Sequence, residues 1–239
     1  MEWTGQGLII GVRRHGESSV IAEAMVQGRG RHLGLVRSGR SRRQASTLQL
    51  GNSVQLVWRA RLEDHLGAFT VELLQARAAE LITDRTSLYV AQLLCGHLHL
   101  LPERDPHDRL LAKTLEILDG EWDNASLAVE LARFEFMLLD EMGFGLDIYS
   151  CAVTGALDGL THVSPKTGRA VTAQAAKPYI DRLLPLPAFL AREAEVTATD
   201  IADAFRVTGH FLSMHVWTAR QIDPPATRDQ LIEVLLEKL

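Results

Sequence analysis

Residues 20–43 read VIAEAMVQGRGRHLGLVRSGRSRR. Val20 to Val26 is a short, mostly apolar run, the Gly28-Arg29-Gly30 step supplies a turn, and His32 to Val36 resumes a strand. Outward from this pair, Leu8 to Val12, Val54 to Leu62 and Ala68 to Leu74 read as further strands. They are set off by Gly16, Gly39, Gly51-Asn52 and Gly67. Five short strands with no helical period between them indicate a small closed or nearly closed β-barrel. The five-stranded OB-fold is the commonest barrel of this size, and an SH3-like barrel gives much the same pattern.

After about Ala78 the pattern changes. Leu81, Leu88, Leu94, Leu98 and Leu101 mark a leucine-rich stretch that ends at Pro102, and Asp108 to Leu118 repeats apolar residues at helical spacing. From Ser126 to Met142, Leu127, Leu131, Phe134 and Leu138 form one stripe, widened by Val129, Ala132, Phe136 and Leu139. A helix this apolar belongs at the centre of its bundle. Asn124 is a candidate N-cap and Gly143 a left-handed stop. Val163 to Val171, with Ser164-Pro165 at its turn, reads as a β-hairpin. Helices resume from a Thr199 cap to about Arg220 and again from Arg228 to Lys238, with Pro224-Pro225 between them. The expected fold is α+β multidomain, an N-terminal barrel over residues 1–77 and a helical domain over 78–239 with a small β-hairpin insertion.

The 239 residues are 46% hydrophobic, which excludes a disordered chain, and their net charge of −5 argues at first against a polyanionic partner. That mean conceals an asymmetry. Residues 1–77 carry eleven arginines, no lysine and six acids, a net of +5, and the remainder carries −10. Cys95 and Cys151 are too few for a disulfide framework or a four-cysteine zinc site. No apolar run approaches the roughly 18 residues of a spanning helix, and the N-terminal stretch lacks the shape of a signal peptide. A soluble, cytoplasmic protein without a membrane partner is expected.

Arg29, Arg31, Arg37, Arg40, Arg42 and Arg43 lie within fifteen residues that contain no acid. The 37–43 run is too polar to be buried and reads as an exposed, mobile loop after a strand. Guanidinium groups bind phosphate as bidentate forks and stack on bases, so such a loop beside a barrel suits sequence-tolerant single-strand binding. Trp58 offers a candidate stacking surface and Arg59 and Arg61 extend the positive track; a core tryptophan and a merely solubilising loop are the competing readings.

Catalytic patterns do not hold up. His97 and His99 fall on opposite sides of a helix. Glu130, Glu135, Asp140 and Glu141 have no partner histidine and read as a solvated face. Gly28-Arg29-Gly30 lacks the third glycine of a nucleotide loop, and neither a phosphate-binding Gly-Lys motif nor a nucleophile elbow is present. The expectation is a protein that is not an enzyme, with no catalytic residues and no metal or cofactor.

Three stretches taken together resemble the RecO family of bacterial recombination mediators, along essentially the whole chain. They are 28–43, Arg133-Phe134-Glu135-Phe136 through Gly145-Leu146, and Cys151-Ala152-Val153-Thr154-Gly155 followed by Val163-Ser164-Pro165 to Gly168. The resemblance implies an OB-fold, a helical bundle and a role in recombinational DNA repair without nucleotide hydrolysis. It further implies binding of single- and double-stranded DNA, annealing of complementary strands, and contacts with RecR and single-strand-binding protein that let RecA load. Many members carry a four-cysteine zinc ribbon. Here Thr154 stands where the second cysteine belongs and no cysteine follows, so the insertion at about 146–175 is a degenerate zinc ribbon expected to hold no zinc. The family also favours glycine where Ser38 follows Arg37.

The resemblance gives the acidic helical domain a use as a groove for the acidic, hydrophobic C-terminal tail of single-strand-binding protein. Arg133 is the candidate anchor, in competition with a plain pair to Glu130 or Asp140. Two rivals share parts of this pattern: an RNA- or ribosome-associated OB-fold adaptor without annealing activity, and a metal-dependent nuclease using Glu135 or Asp140.

Overall fold

The computed structural model describes residues 1–62 and 64–239. The chain forms two compact units, Met1–Asp119 and Gly120–Leu239. In the first, β1 (Glu2–His15), β2 (Ser19–Val26), β3 (Gly30–Val36), α1 (Arg42–Thr47), β4 (Ser53–Arg59) and β5 (Ala68–Gln75) are followed by α2 (Ala78–Leu81), α3 (Arg85–Leu98) and α4 (Asp108–Asp119). The strands form a barrel in the order β1-β2-β3-β5-β4. Antiparallel ladders join β1 to both β2 and β4, while the β3–β5 seam is a single parallel pairing of Leu35 with Ala68. The result is the expected OB-like barrel.

β1 is nearly three times longer than its apolar run. Gly5, Gln6 and Gly7 carry no apolar signal, yet Glu2 to Leu8 pairs residue for residue with β4. The barrel interior is Ile9, Ala22, Ala24, Val26, Val36, Val54, Leu56, Trp58, Phe69 and Val71. Each large member contributes about 1.5–3 kcal/mol by leaving water, which outweighs any single surface interaction in this unit.

In the second unit, α5 (Asn124–Glu141) is central, as its broad apolar surface requires, and packs against α7 (Ala198–Leu212) and α9 (Ala226–Leu236). Its N-cap is Asp123, whose carboxylate accepts from the Ser126 N–H, and not the neighbouring Asn124. Likewise Thr197, not Thr199, caps α7, in a reciprocal box with Asp200. After α7 one π-helical turn, Ser213–Trp217, leads into α8 (Thr218–Arg220). Between α5 and α7 lie β6 (Leu160–Val163), β7 (Ala170–Thr172), α6 (Ala173–Ala176) and β8 (Leu184–Pro185). The hairpin is therefore two strands of a three-stranded sheet, β7-β6-β8. Gly168, at φ +67°, closes its turn by donating to the Ser164 carbonyl at 2.9 Å.

Candidate nucleic-acid interface

The 37–43 segment is not an open loop throughout. Ser41 caps α1 by accepting from the Gln44 N–H, so Arg42 and Arg43 occupy the first turn of a helix. Before it, Ser38 takes the left-handed conformation at φ +54°. A Cβ on Gly39 would fall 2.4 Å from Val20 Cγ2, so this turn lies directly on β2 and only glycine fits there. Arg37, Arg40, Arg42 and Arg43 are exposed, and Arg40 Nη1 donates to the Glu17 carbonyl.

An open groove of about 650 Å³ runs beside this turn, lined by Arg14, Val20, Gly39, Arg40, Leu48 and Gln49. Arg14 reaches it because β1 pairs with β2, where Arg14 opposes Val20. Arg13 and Arg14 are exposed and belong with the basic surface. The sequence held a signal for them, two adjacent arginines at a strand end, but only the β1–β2 ladder brings Arg14 beside Arg40. The groove sets exposed guanidinium forks beside an apolar floor of Val20 and Leu48, and the fork geometry of a guanidinium matches that of a phosphate.

Other expected members lie elsewhere. Trp58 is corrected to a core residue: it is 2% exposed, and its indole N–H donates to the Leu66 carbonyl at 3.1 Å. A strand cannot stack on it from outside. Arg31 is likewise structural, bonded to Glu23 at 2.5 Å and to the Leu101 carbonyl at 2.8 Å. Burial works to raise the Glu23 carboxyl, but hydrogen bonds from His99 and Arg31, with their charges, bring the net shift below the usual range. Arg59 holds Glu2 in an exposed bidentate pair, at 2.8 and 3.0 Å. Arg29 is exposed with its guanidinium 4.7 Å over the Trp3 ring, and Arg61 is exposed.

In the helical unit, Arg133 donates to Glu130 at 2.9 Å and to the Phe189 carbonyl at 3.4 Å. Glu135 is corrected from a solvated face to full burial, bonded to Arg228 and Thr208. It has no open side for a metal-bound nucleophile. His97 is buried against the Leu93 carbonyl, and both His99 nitrogens are engaged, with Glu23 and with the Ile10 carbonyl.

The insertion does not fit a zinc ion. Thr154 occupies the second ligand position beside Cys151, and among the described residues no three His, Cys, Asp or Glu gather as a metal set. The Thr154 hydroxyl, above all, lowers the Cys151 thiol to about 6; burial opposes it, and backbone N–H groups of Thr172, Thr154 and Val153 assist. Among the described residues, no helix is long and apolar enough to cross a membrane.

Comparison with known proteins places an OB-like barrel followed by this helical region in one class, the recombination proteins of DNA repair. Residues 1–77 match the family model "Recombination protein O N terminal" and residues 82–220 match "Recombination protein O C terminal". The DNA repair protein RecO of Sinorhizobium medicae is 50% identical over 240 residues, covering 100% of this chain and 96% of its own length. Its counterpart in a Chelativorans species is 49% identical, at 100% and 97% coverage. The chain belongs to the RecO family of DNA repair proteins, a family of repair mediators and not of known catalysts.

Proposed function

We propose that this protein is a recombination mediator that binds single- and double-stranded DNA through its barrel, anneals complementary strands, and helps load RecA on DNA coated with single-strand-binding protein. The observation that carries this reading is the groove where Arg14 and Arg40 meet, flanked by exposed Arg37, Arg42 and Arg43. Annealing requires two polyanions to approach one another, and arginines that neutralise phosphates on both strands remove that repulsion without reading sequence. In this reading the barrel of residues 1–77, with residues 78–119 packed in the same unit, forms the DNA-binding part, and residues 120–239 the platform for RecR and single-strand-binding protein. The protein acts in the cytoplasm, without catalysis or cofactor.

For the acidic tail of single-strand-binding protein, the helical unit offers a groove of about 220 Å³ lined by Ile148, Tyr149, Leu157, Asp158, Ala188 and Arg192. Arg133 reaches the carbonyl of Phe189, one residue beyond this wall. Apolar walls with two arginines nearby suit an acidic, hydrophobic tail.

The test is annealing of complementary oligonucleotides, each coated with single-strand-binding protein. Acceleration that depends on the groove arginines supports the mediator reading. No acceleration, with RNA and DNA bound equally well, overturns it in favour of an RNA-associated adaptor.

A further inference from the structure

The barrel carries a second feature, apart from the arginine groove. At the end where β1, β3 and β4 meet the segment before α4, a cavity of about 160 Å³ is lined by Trp3, Arg29, His32, Trp58, Arg104 and Pro106. Trp3 stacks on Trp58 with ring centroids 5.7 Å apart and 17° between planes, and His32 meets Trp3 edge-on at 5.1 Å. The exposed Arg29 guanidinium lies 4.7 Å from the Trp3 ring centroid.

Two observations mark this cavity as a site. His32 is 6% exposed and, although the Gly30 backbone interacts with its ring, Nδ1 makes no well-formed hydrogen bond, so a ligand group there would offset the cost of burying it. Arg104 stands at the rim in a left-handed backbone conformation, φ +64°, fixed by its N–H to the Arg31 carbonyl and its Nη2 to the His65 carbonyl, both at 2.9 Å. A non-glycine residue held there stores strain of the kind that clusters at ligand sites. Gly30 lets this segment approach, since a Cβ there would fall 1.8 Å from the Asp105 carbonyl oxygen.

We propose that this cavity is a nucleobase pocket, in which one unstacked base of a bound strand lies on Trp3 in place of Arg29, its edge toward His32 and its phosphate between Arg29 and Arg104. The proposal deepens the DNA-binding reading above and rests on it. The size suits one planar ring system, being well under the roughly 300 Å³ of pockets for larger organic ligands. A phosphate alone would use the guanidiniums but leave the indole face and His32 unexplained. Stacking of a base on an indole exceeds an exposed cation–aromatic contact, so the base displaces Arg29, which gains a phosphate as it moves. Burial holds the His32 imidazole below its ordinary pKa; the Gly30 backbone opposes this, and the charges of Arg104 and Arg29 reinforce it against that of Glu103. A neutral ring can donate or accept at Nδ1, which makes the pocket tolerant of base identity.

The test compares binding of a short oligothymidylate with an abasic strand of equal length and charge, on the full chain. The wild type binds the oligothymidylate about tenfold more tightly than the abasic strand. Trp3→Leu brings that ratio near one and Trp3→Phe preserves it, while abasic affinity, which reports an intact barrel, stays unchanged in both. A wild-type ratio near one, or the same ratio in Trp3→Leu as in wild type, overturns the pocket while leaving DNA binding in place. Failure of wild type to bind either strand overturns the parent reading and this one together. Where Trp3→Leu does not fold, 2-aminopurine in the strand decides: its emission is quenched on wild type and more deeply on Arg29→Ala, which uncovers the indole. Unchanged emission overturns the proposal.

Discussion

Arg228 grips Glu135 through two hydrogen bonds, Nε to Oε1 at 2.7 Å and Nη2 to Oε2 at 2.8 Å, where the two side chains are 8% and 1% exposed. Thr208 donates a third bond to the same carboxylate at 2.5 Å, and Arg228 also donates to the Phe205 carbonyl at 2.9 Å. This network joins α5, α7 and α9 at their common interior. Removing one partner strands a buried charge, so Glu135→Ala should cost about 3–5 kcal/mol in urea unfolding. Glu135→Leu combined with Arg228→Met and Thr208→Val should recover most of that loss, because all three polar groups leave together. A triple variant no better than the single one would show that the network stabilises by more than avoiding stranded charge.

Ser38 bears a Cβ at φ +54°, a conformation that costs an L-residue roughly 1–2 kcal/mol. Ser38→Gly removes that strain but enlarges the unfolded ensemble, by about 0.4–1 kcal/mol. The net expectation is a gain of about 0.5–1 kcal/mol, read as a small rise in thermal midpoint, with unchanged DNA affinity since no charge is altered.

Asp119 is held below the usual aspartate range, first by hydrogen bonding from Arg77, with burial opposing and the Arg77 charge and Gln75 assisting. The guanidinium donates to its two oxygens at 2.5 and 2.7 Å. Because the folded pKa is depressed, the contribution is complete above the ordinary value of 3.8 and is lost as pH falls through the lower folded value. Asp119→Asn should therefore be less stable than wild type at pH 6, and the difference should shrink steadily below about pH 4. Thermal midpoints across that range check the sign; a gap that widens toward acid would contradict the pairing.

The strands β2 and β3 are legible because their apolar residues run between glycine turns, β5 because Gly67 opens it, and α5 because its stripe is too wide for a surface helix. The sequence places two caps up to two residues late, at Asn124 and Thr199, since several residues at a helix entrance can cap it and only backbone geometry decides. Glu135 looked solvated because its partner Arg228 lies 93 residues away. Trp58 on β4 turns into the barrel core and Arg31 on β3 is held by Glu23, and both outcomes depend on pairing partners absent from any local window. The arginine cluster itself was legible as composition; its shape as a groove with Arg14 was not.

That groove gives the most direct test of function. Arg14, Arg37, Arg40, Arg42 and Arg43 are exposed, and releasing the counterions of five phosphates gives this groove a share of about −3.5 in the slope of log affinity against log salt for single-stranded DNA. Arg40→Ala, Arg42→Ala and Arg43→Ala together should reduce that share to about −1.4 and weaken binding at low salt far more than at high salt. Adding Arg14→Ala should reduce it again, to about −0.7, if β1 contributes to the same track. These side chains are exposed and α1 keeps its Ser41 cap, so the triple variant should unfold within about 0.5 kcal/mol of wild type. An unchanged slope in the triple variant would mean that the turn is only a solvated edge of the barrel and that phosphates are bound elsewhere.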